Sequence, residues 1–533
     1  MKPQILIPPI PEKQQSPLVR QLLDIIDQQA HLIEQMAAQI QQLKDEIARL
    51  KNQPPRPKIQ PSRLEKKRTK KQKASKAKRA GSAKRHKTAE LEIHNTESIE
   101  PEYVPPGSAF RYYKDWVVQD LKIQPCNTRY RLKVYETPDG DYVSGKLPAN
   151  LQDRHFGPTL IRFVLYQYYH CHVTQPLLLE QLHEIGVDIS AGHLNKLLIE
   201  EKDRFHLEKD QILATGLEVS SYINVDDTGA RHKGQNGYCT HIGNEQFSFF
   251  ESTQSKSRIN FLKLLRAGHS DYCLNIDAIV YMQTNKLPQS FLEPIIANLD
   301  NIFADDRQWN DFLSQQGIVN IRHVQIATEG ALIGSVIEHG LCDHLAIISD
   351  DAGQFNVFVH ALCWVHAERL IGKIVPLTDE QEKDLDTVRD EIWKLYEGLK
   401  QYKQNPRAKT KACLQARFDR IFTMKTSSAT LNQALNRLYK NKSELLMVLE
   451  RPEIPLHNNA AENAIREYVK KRKISGGTRS EAGRKCRDTF TSLKKTCRKL
   501  GVSFWEYLKD RIEKLNLIPD LSDLIRQQTL QPG

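Results

Sequence analysis

The stretch EVSSYINVDD, residues 218–227, is where the chain stops reading as helix. Val219, Tyr222, Ile223 and Val225 are β-branched or aromatic, and they lead into two adjacent acids. That is the pattern of a short strand ending in Asp226 and Asp227. Downstream, NGYCTHIGNEQFSFFEST (236–253) reads as a hairpin turning at Gly243-Asn244. Much later, DHLAIISDDAGQF (343–355) gives a second apolar strand ending in acids, Asp350 and Asp351, and VFVHALCWVHAERLI (357–371) reads as a helix after it. If the two strands are neighbours in one sheet, their terminal acids converge at its edge, where open α/β sheets build sites.

A third acid stands in HNNAAENAIREYVKKRK (457–473). Alone, this segment is a helix start. Asn458 or Asn459 can accept from first-turn N–H groups, Asn459 with Glu462 has capping-box spacing, and Arg466 sits one turn beyond Glu462. Packed at the edge where the strands end, the same helix start would bring Glu462 to Asp226 and Asp350. Three carboxylates without lysine partners repel unless cations neutralise them, and hard oxygen ligands suit Mg²⁺ or Mn²⁺. Two such ions activate a water or a 3′-hydroxyl and stabilise the leaving oxygen of a phosphoryl displacement. Each acid also has a plain alternative as a turn or cap residue; the three together carry the argument.

Composition agrees with a polyanionic substrate. The chain has 533 residues and a formal charge of +12, length enough for two or three domains. Residues 63–87 hold thirteen Lys/Arg and one acid, and residues 470–499 hold twelve and two, so the rest of the chain is net acidic. Two concentrated basic blocks suggest a nucleic-acid partner. No apolar run reaches membrane-spanning length, and the N-terminal MKPQILIPPIPEKQQ lacks the order of a signal peptide. Nine scattered cysteines without a C-x-x-C pair signal neither a disulfide framework nor a four-cysteine zinc site. A reducing cytoplasm is the natural setting, with no membrane partner.

Six parts follow in order. Residues 1–53 contain a heptad over 19–50, with Val19, Ile26, Ile33, Ile40 and Ile47 at a and Leu22, Gln29, Met36, Leu43 and Leu50 at d. That arrangement favours a parallel two-stranded coiled coil, with Gln29 fixing register, and predicts a homodimer. Residues 54–107 read as a disordered basic linker. Residues 108–210 are helical; a helix near 174–184, a turn at Gly186 and a second helix capped by Ser190 form a helix-turn-helix pattern, or equally a plain helical hairpin. The second helix, with Ser190, His193 and Lys196, would be the DNA reader. Residues 211–371 and 451–533 would make the two parts of a catalytic core, separated by a helical insertion over 372–450.

INVDDTGAR (223–231), IISDDAGQF (347–355) with LCWVHAERL (362–370), and LHNNAAENAIREYVKKRK (456–473) resemble, in content and order, the three signature blocks of the IS66 family of bacterial DDE transposases. Members carry a D-E-T block, a strand ending S-D ahead of C-W-x-H-x-x-R, and N-N-x-x-E-R-x-x-R followed by R-K. The resemblance covers roughly residues 150–515. It implies an α/β, ribonuclease H-like catalytic core with a helical insertion. It makes Asp226, Asp350 and Glu462 both the catalytic residues and the ligands of two Mg²⁺ or Mn²⁺ ions. It implies cleavage at transposon ends and transfer of the 3′-hydroxyl to target DNA, by an enzyme at the bacterial nucleoid. Cys363 and His366, with Trp364, would shape the catalytic pocket. Arg466, Lys470, Lys471, Arg472 and Lys473, with Tyr468, would contact phosphates near the scissile bond. This chain departs from the family in having only Cys126 where many members have a cysteine-rich zinc module, in a longer stretch over about 268–335, and in Asn463 after Glu462. A metal-dependent nuclease without strand transfer and a non-catalytic DNA-binding regulator are the rival readings.

Overall fold

The computed structural model describes residue 29 and residues 91–148, 151, 154–340, 345–376 and 378–530. Of the heptad segment only Gln29 is described, helical and exposed; the basic run 63–87 lies outside the described residues.

A five-stranded mixed sheet carries the architecture. It is preceded by a small exposed antiparallel pair, β1 (Val134–Glu136) with β2 (Tyr142–Ser144). The central strands are β3 (Tyr222–His232), β4 (Gln235–Gly243), β5 (Ser248–Thr253), β8 (Ala346–Ser349) and β9 (Val359–Leu362). Between β5 and β8 lies a second short pair, β6 (Tyr272–Cys273) with β7 (Ile302–Phe303). The central order is β5-β4-β3-β8-β9. β4 runs antiparallel to both of its neighbours, while β8 and β9 run parallel to β3. The Gly243-Asn244 hairpin joins β4 to β5 as the sequence predicts.

Two expectations are corrected. β3 does not end at its acids; it continues through TGARH and turns at Lys233-Gly234, both with positive φ. This two-residue hairpin loop suits the twist of the flanking strands, and it puts Asp226 in mid-strand, opposite His241. The run 357–371 is not one helix. Val359–Leu362 pairs with β8, and helix starts only at Trp364. Short apolar runs satisfy strand and buried-helix patterns equally, and the vacant edge of β8 decides.

Alternation along β3 divides the molecule. Ile223 and Val225 point into the larger core, which joins the helices of residues 158–219, the helical excursion between β5 and β8, and the C-terminal helices Glu481–Lys499, Phe504–Glu513 and Leu521–Leu530. The helix Asp203–Val219 runs across position 210 as part of that core. Asn224, Asp226 and Ala230 face the other way, where the helix Asn459–Ser475 packs over Cys239 and Phe250 through Ala464, Ile465 and Tyr468. Ala346 and Ile348 of β8 share that second side with the helices Asp379–Gln404, Ala408–Phe422 and Ala429–Lys440, which form a core of their own. Trp364 belongs to this insertion core: it is fully buried near Phe418 and Phe422 and donates to the Leu445 carbonyl at 2.8 Å. Among the described residues no helix is long and apolar enough to cross a membrane.

Candidate active site

Asn224 of β3 pairs with Ile348 of β8 in parallel register. Two residues further on come Asp226, on the same face of β3 as Asn224, and Asp350, one residue past the end of β8. Glu462 enters from the first turn of the helix Asn459–Ser475. The three acids lie close enough that the charges of Asp350 and Glu462 both act on Asp226, without all three presenting oxygens within 4.8 Å of one another. Burial first, opposed by the Asp227 backbone N–H and reinforced by the charges of Asp350, Asp227 and Glu462, pushes Asp226 up to about 7. A half-buried carboxylate with that pKa sits where negative charge is crowded, which is the condition a divalent cation relieves. The donor set is entirely hard oxygen. It fits Mg²⁺ or Mn²⁺.

The neighbouring acids have other partners. Asp227 points to the opposite face, where Thr240 donates to it at 2.6 Å and Gln354 at 2.9 Å. Asp351 turns toward the insertion and pairs with Arg437 and Asn441. Asp350 is held by its own turn, with the Ala352 N–H on Oδ1 at 3.2 Å. Behind it a polar chain runs from Glu444 of the insertion through His360 to Ser349, which donates to the Asp350 carbonyl.

Glu462 is the best-attended acid. Arg369 lies 3.3 Å from Oε1 and His366 3.7 Å from it, both one face along from Cys363, while Arg466 reaches Oε2 at 3.5 Å. The ion pair one turn along the helix is therefore present, at the long end of the range. The capping box is not. Asn458 is the N-cap residue and its carbonyl accepts from the Glu462 N–H at 3.1 Å, but its side chain makes no cap and turns away to β3. Its amide donates to the Val225 carbonyl at 2.7 Å, its side-chain oxygen accepts from Asn224 at 2.9 Å, and its own N–H donates to the Cys363 sulfur at 3.2 Å. Asn458 is 1% exposed. One buried residue thus ties β3, the helix carrying Glu462 and the start of the helix Trp364–Gly372. Sequence reading missed this role because a cap explains the same asparagine; the only available signal was the second, adjacent asparagine.

A cleft of about 400 Å³ opens beside these groups. Asp350, Asp351, Cys363, His366, Arg369, Lys373 and Arg437 are among the residues that line it, whereas Asp226 and Glu462 are not. Among the cations expected at phosphates, Arg466, Lys470 and Lys473 are exposed, and Arg472 is half-buried against Thr228 and Gly229. Lys471 is a correction. It is buried, donates to the Tyr168 carbonyl at 2.7 Å and lies over that ring, and burial followed by the charges of Arg487 and Lys494 drops its pKa to about 7. Tyr468 is also interior, bonded to Ser252 and Asp488. The basic block 470–499 is thus no uniform surface face. Lys471 and Lys494 satisfy the carbonyls of Tyr168 and Tyr169 in the π-helical turn Tyr166–His170, Arg487 serves Gly476, and Lys499 serves Phe247.

Far from the acids in sequence, the helix Gln175–Glu184, Gly186 with φ of 87°, and the helix Ala191–Ile199 form the expected pair. Ser190 caps the second helix by accepting from the His193 N–H at 3.2 Å. His193 is half-buried edge-on to Phe156, and Lys196 is exposed.

Residues 346–486, which contain Asp350, the Cys363–Arg369 block and Glu462, match the model of the family described as "Transposase IS66 family". The uncharacterized protein y4jO of Sinorhizobium fredii (strain NBRC 101917 / NGR234) is 46% identical over 303 residues, which is 56% of this chain and 94% of that protein.

Proposed function

Starting from a chain that belongs to the IS66 transposase family, we propose that it is a metal-dependent DNA transposase with a ribonuclease H-like core, cleaving at transposon ends and joining the 3′-hydroxyl to target DNA. The observation that carries this reading is that Asp226 of β3, Asp350 just past β8 and Glu462 of the helix packed over β3 come close together in a sheet ordered β5-β4-β3-β8-β9, with Asn458 fixing the third element to the first. Asp226, Asp350 and Glu462 would hold two divalent ions. Bound there, the ions supply activation of a water or 3′-hydroxyl and stabilisation of the leaving oxygen.

The chain's own groups do the rest. Arg369 and His366 attend Glu462 and would hold its carboxylate in place. Lys373 and Arg437 of the cleft lining, with Arg466, Lys470 and Lys473 along the helix, are suited to phosphates without reading bases. The helix Ala191–Ile199, with Ser190, His193 and Lys196, would read the end sequence. The basic run 63–87 would add salt-dependent affinity for any DNA, and the heptad 19–50 would pair two copies.

The test is a strand-transfer assay with purified protein, Mg²⁺, labelled DNA carrying the inverted repeats that flank the reading frame, and an unlabelled target. Labelled ends joined to target in trans are the expected product. Cleaved but never joined ends would leave a nuclease, and no cleavage with intact binding would leave a regulator. Deleting residues 1–60 is expected to give a monomer by sedimentation; a dimer of unchanged stability would put association elsewhere.

A further inference from the structure

The helical excursion between β5 and β8 holds a second cluster of ligating side chains, unrelated to the carboxylates. His269, Asp271 and His339 each offer one donor atom, and these atoms lie within 4.8 Å of one another; no other three His, Cys, Asp or Glu among the described residues do so. His339 Nε2 is 2.9 Å from Asp271 Oδ1, and the His269 and His339 rings stack with centroids 3.5 Å apart. The other carboxylate oxygen of Asp271 accepts from the buried Cys273 thiol at 3.1 Å. A ligand carboxylate oriented by an outer hydrogen bond is the usual construction of a metal centre.

Each donor is fixed by backbone. The helix Arg258–Leu265 ends in two left-handed residues, Ala267 and Gly268, which turn the chain so that His269 folds back. Asp271 immediately precedes β6, and His339 closes the helix Ile321–Glu338. That helix lies hard against β6 because it carries glycine at the contact. A Cβ on Gly334 would meet the Cys273 carbonyl oxygen at 2.2 Å, and one on Gly330 would meet Met282 at 2.8 Å. Asn275 also donates to the Gly334 carbonyl at 3.0 Å. His339 is therefore held over Asp271 by packing that does not depend on the histidine itself. Burial works against the charge of Asp271, but the bonds from His339, Cys273 and its own amide hold its pKa below the usual carboxylate range. His269 is exposed, which leaves the side facing solvent open to further ligands.

We propose that His269, Asp271 and His339 form a binding site for one borderline divalent transition-metal ion of the zinc class, completed by water. Two imidazoles and one carboxylate suit Zn²⁺ or Co²⁺ and not Mg²⁺, so the site differs in chemistry from the all-oxygen carboxylate centre. Its ligands come from both ends of the excursion, so the bound ion pins that segment's start to its end.

The experiment is Zn²⁺ titration of the full-length protein by calorimetry in excess Mg²⁺, which keeps the carboxylate centre occupied, followed by Co²⁺ absorption spectra. One equivalent is expected to bind to wild type, with d–d bands of a low-coordinate site and without the charge-transfer band of thiolate ligation. His269→Ala changes an exposed side chain and should fold. It is expected to weaken that equivalent by about 100-fold or more, as is His339→Ala. Asp271→Asn should do the same, and Zn²⁺ should raise the Tm of wild type but not of His269→Ala. Zn²⁺ bound as tightly by His269→Ala as by wild type, or a thiolate band in the Co²⁺ spectrum that persists in that variant, would overturn the proposal.

Discussion

The Asp226–Asp350–Glu462 group and the His269–Asp271–His339 cluster, both proposed to hold metal, are built in opposite ways. At the first, burial, and after it the like charges of Asp350, Asp227 and Glu462, push Asp226 up to about 7. At the second, Asp271 is already partnered and its pKa falls. Acids that repel one another have to be braced from outside, here by Asn458, Arg369 and the Glu444–His360–Ser349 chain. A site whose ligands bond to one another stands without the ion, and the ion adds to it.

The largest effect expected is from the acids themselves. Asp226→Ala, Asp350→Ala and Glu462→Ala should each lower strand cleavage by about a thousandfold or more, with DNA affinity retained, because residues acting as a unit are lost together. The Zn²⁺ equivalent at the histidine cluster should survive all three. Residual cleavage within tenfold of wild type for any one of them, in gel assays at saturating Mg²⁺, would remove that acid from the centre.

Asn458→Ala should come next. It leaves the three acids in place and removes the clamp between them, so cleavage is expected to fall about 100-fold, the scale of a displacement near 1 Å at a reacting centre. It also orphans buried partners on β3, costing about 1–3 kcal/mol in urea unfolding. Unchanged cleavage in a variant so destabilised would reduce Asn458 to a structural residue.

Asp226→Asn sharpens the comparison through pH. The folded pKa of about 7 lies above the unfolded value, so folding takes up protons between the two. The group's favourable contribution is complete below the unfolded pKa and is lost as pH rises through 7. In EDTA, Asp226→Asn should therefore match wild type near pH 4 and exceed it by on the order of 1–2 kcal/mol above pH 8, after allowance for partial exposure. A constant difference across that range would mean that Asp226 is not strained by its burial and its neighbouring charges. The smallest effect is the most discriminating: His269→Ala should leave cleavage in Mg²⁺ within about twofold of wild type, since surface substitutions away from a site cost little.

How legible was this molecule? The β4–β5 hairpin, the helix pair around Gly186 with its Ser190 cap, and the blocks around Asp226, Asp350 and Glu462 could be read from residue type and spacing alone, because each is decided by local geometry or by a short motif. The length of β3 could not, since TGARH reads as a turn until β4 is there to pair with it. Nor could the strand Val359–Leu362, which becomes a strand only at the free edge of β8. Charge was counted correctly but not aimed. Lys471 and Lys494 add to the basic block in the sequence, yet they turn inward to the π-helical turn's carbonyls. The histidine cluster left no motif, because its ligands come from a turn, a strand start and a helix end.

The sequence by itself determined the β4–β5 hairpin, the helix pair around Gly186 and the family, since turn chemistry, caps and ordered motifs are local properties of a chain. Tertiary structure decided the partners of each acid pair. Alternation sends Asp226 to the face of the Glu462 helix and Asp227 to Thr240, and in the turn after β8 Asp350 accepts from the Ala352 N–H while Asp351 goes to Arg437. It also turned Asn458 from a helix cap into a brace, because a buried amide bonds to whatever packing sets opposite it, and here that is the backbone of β3.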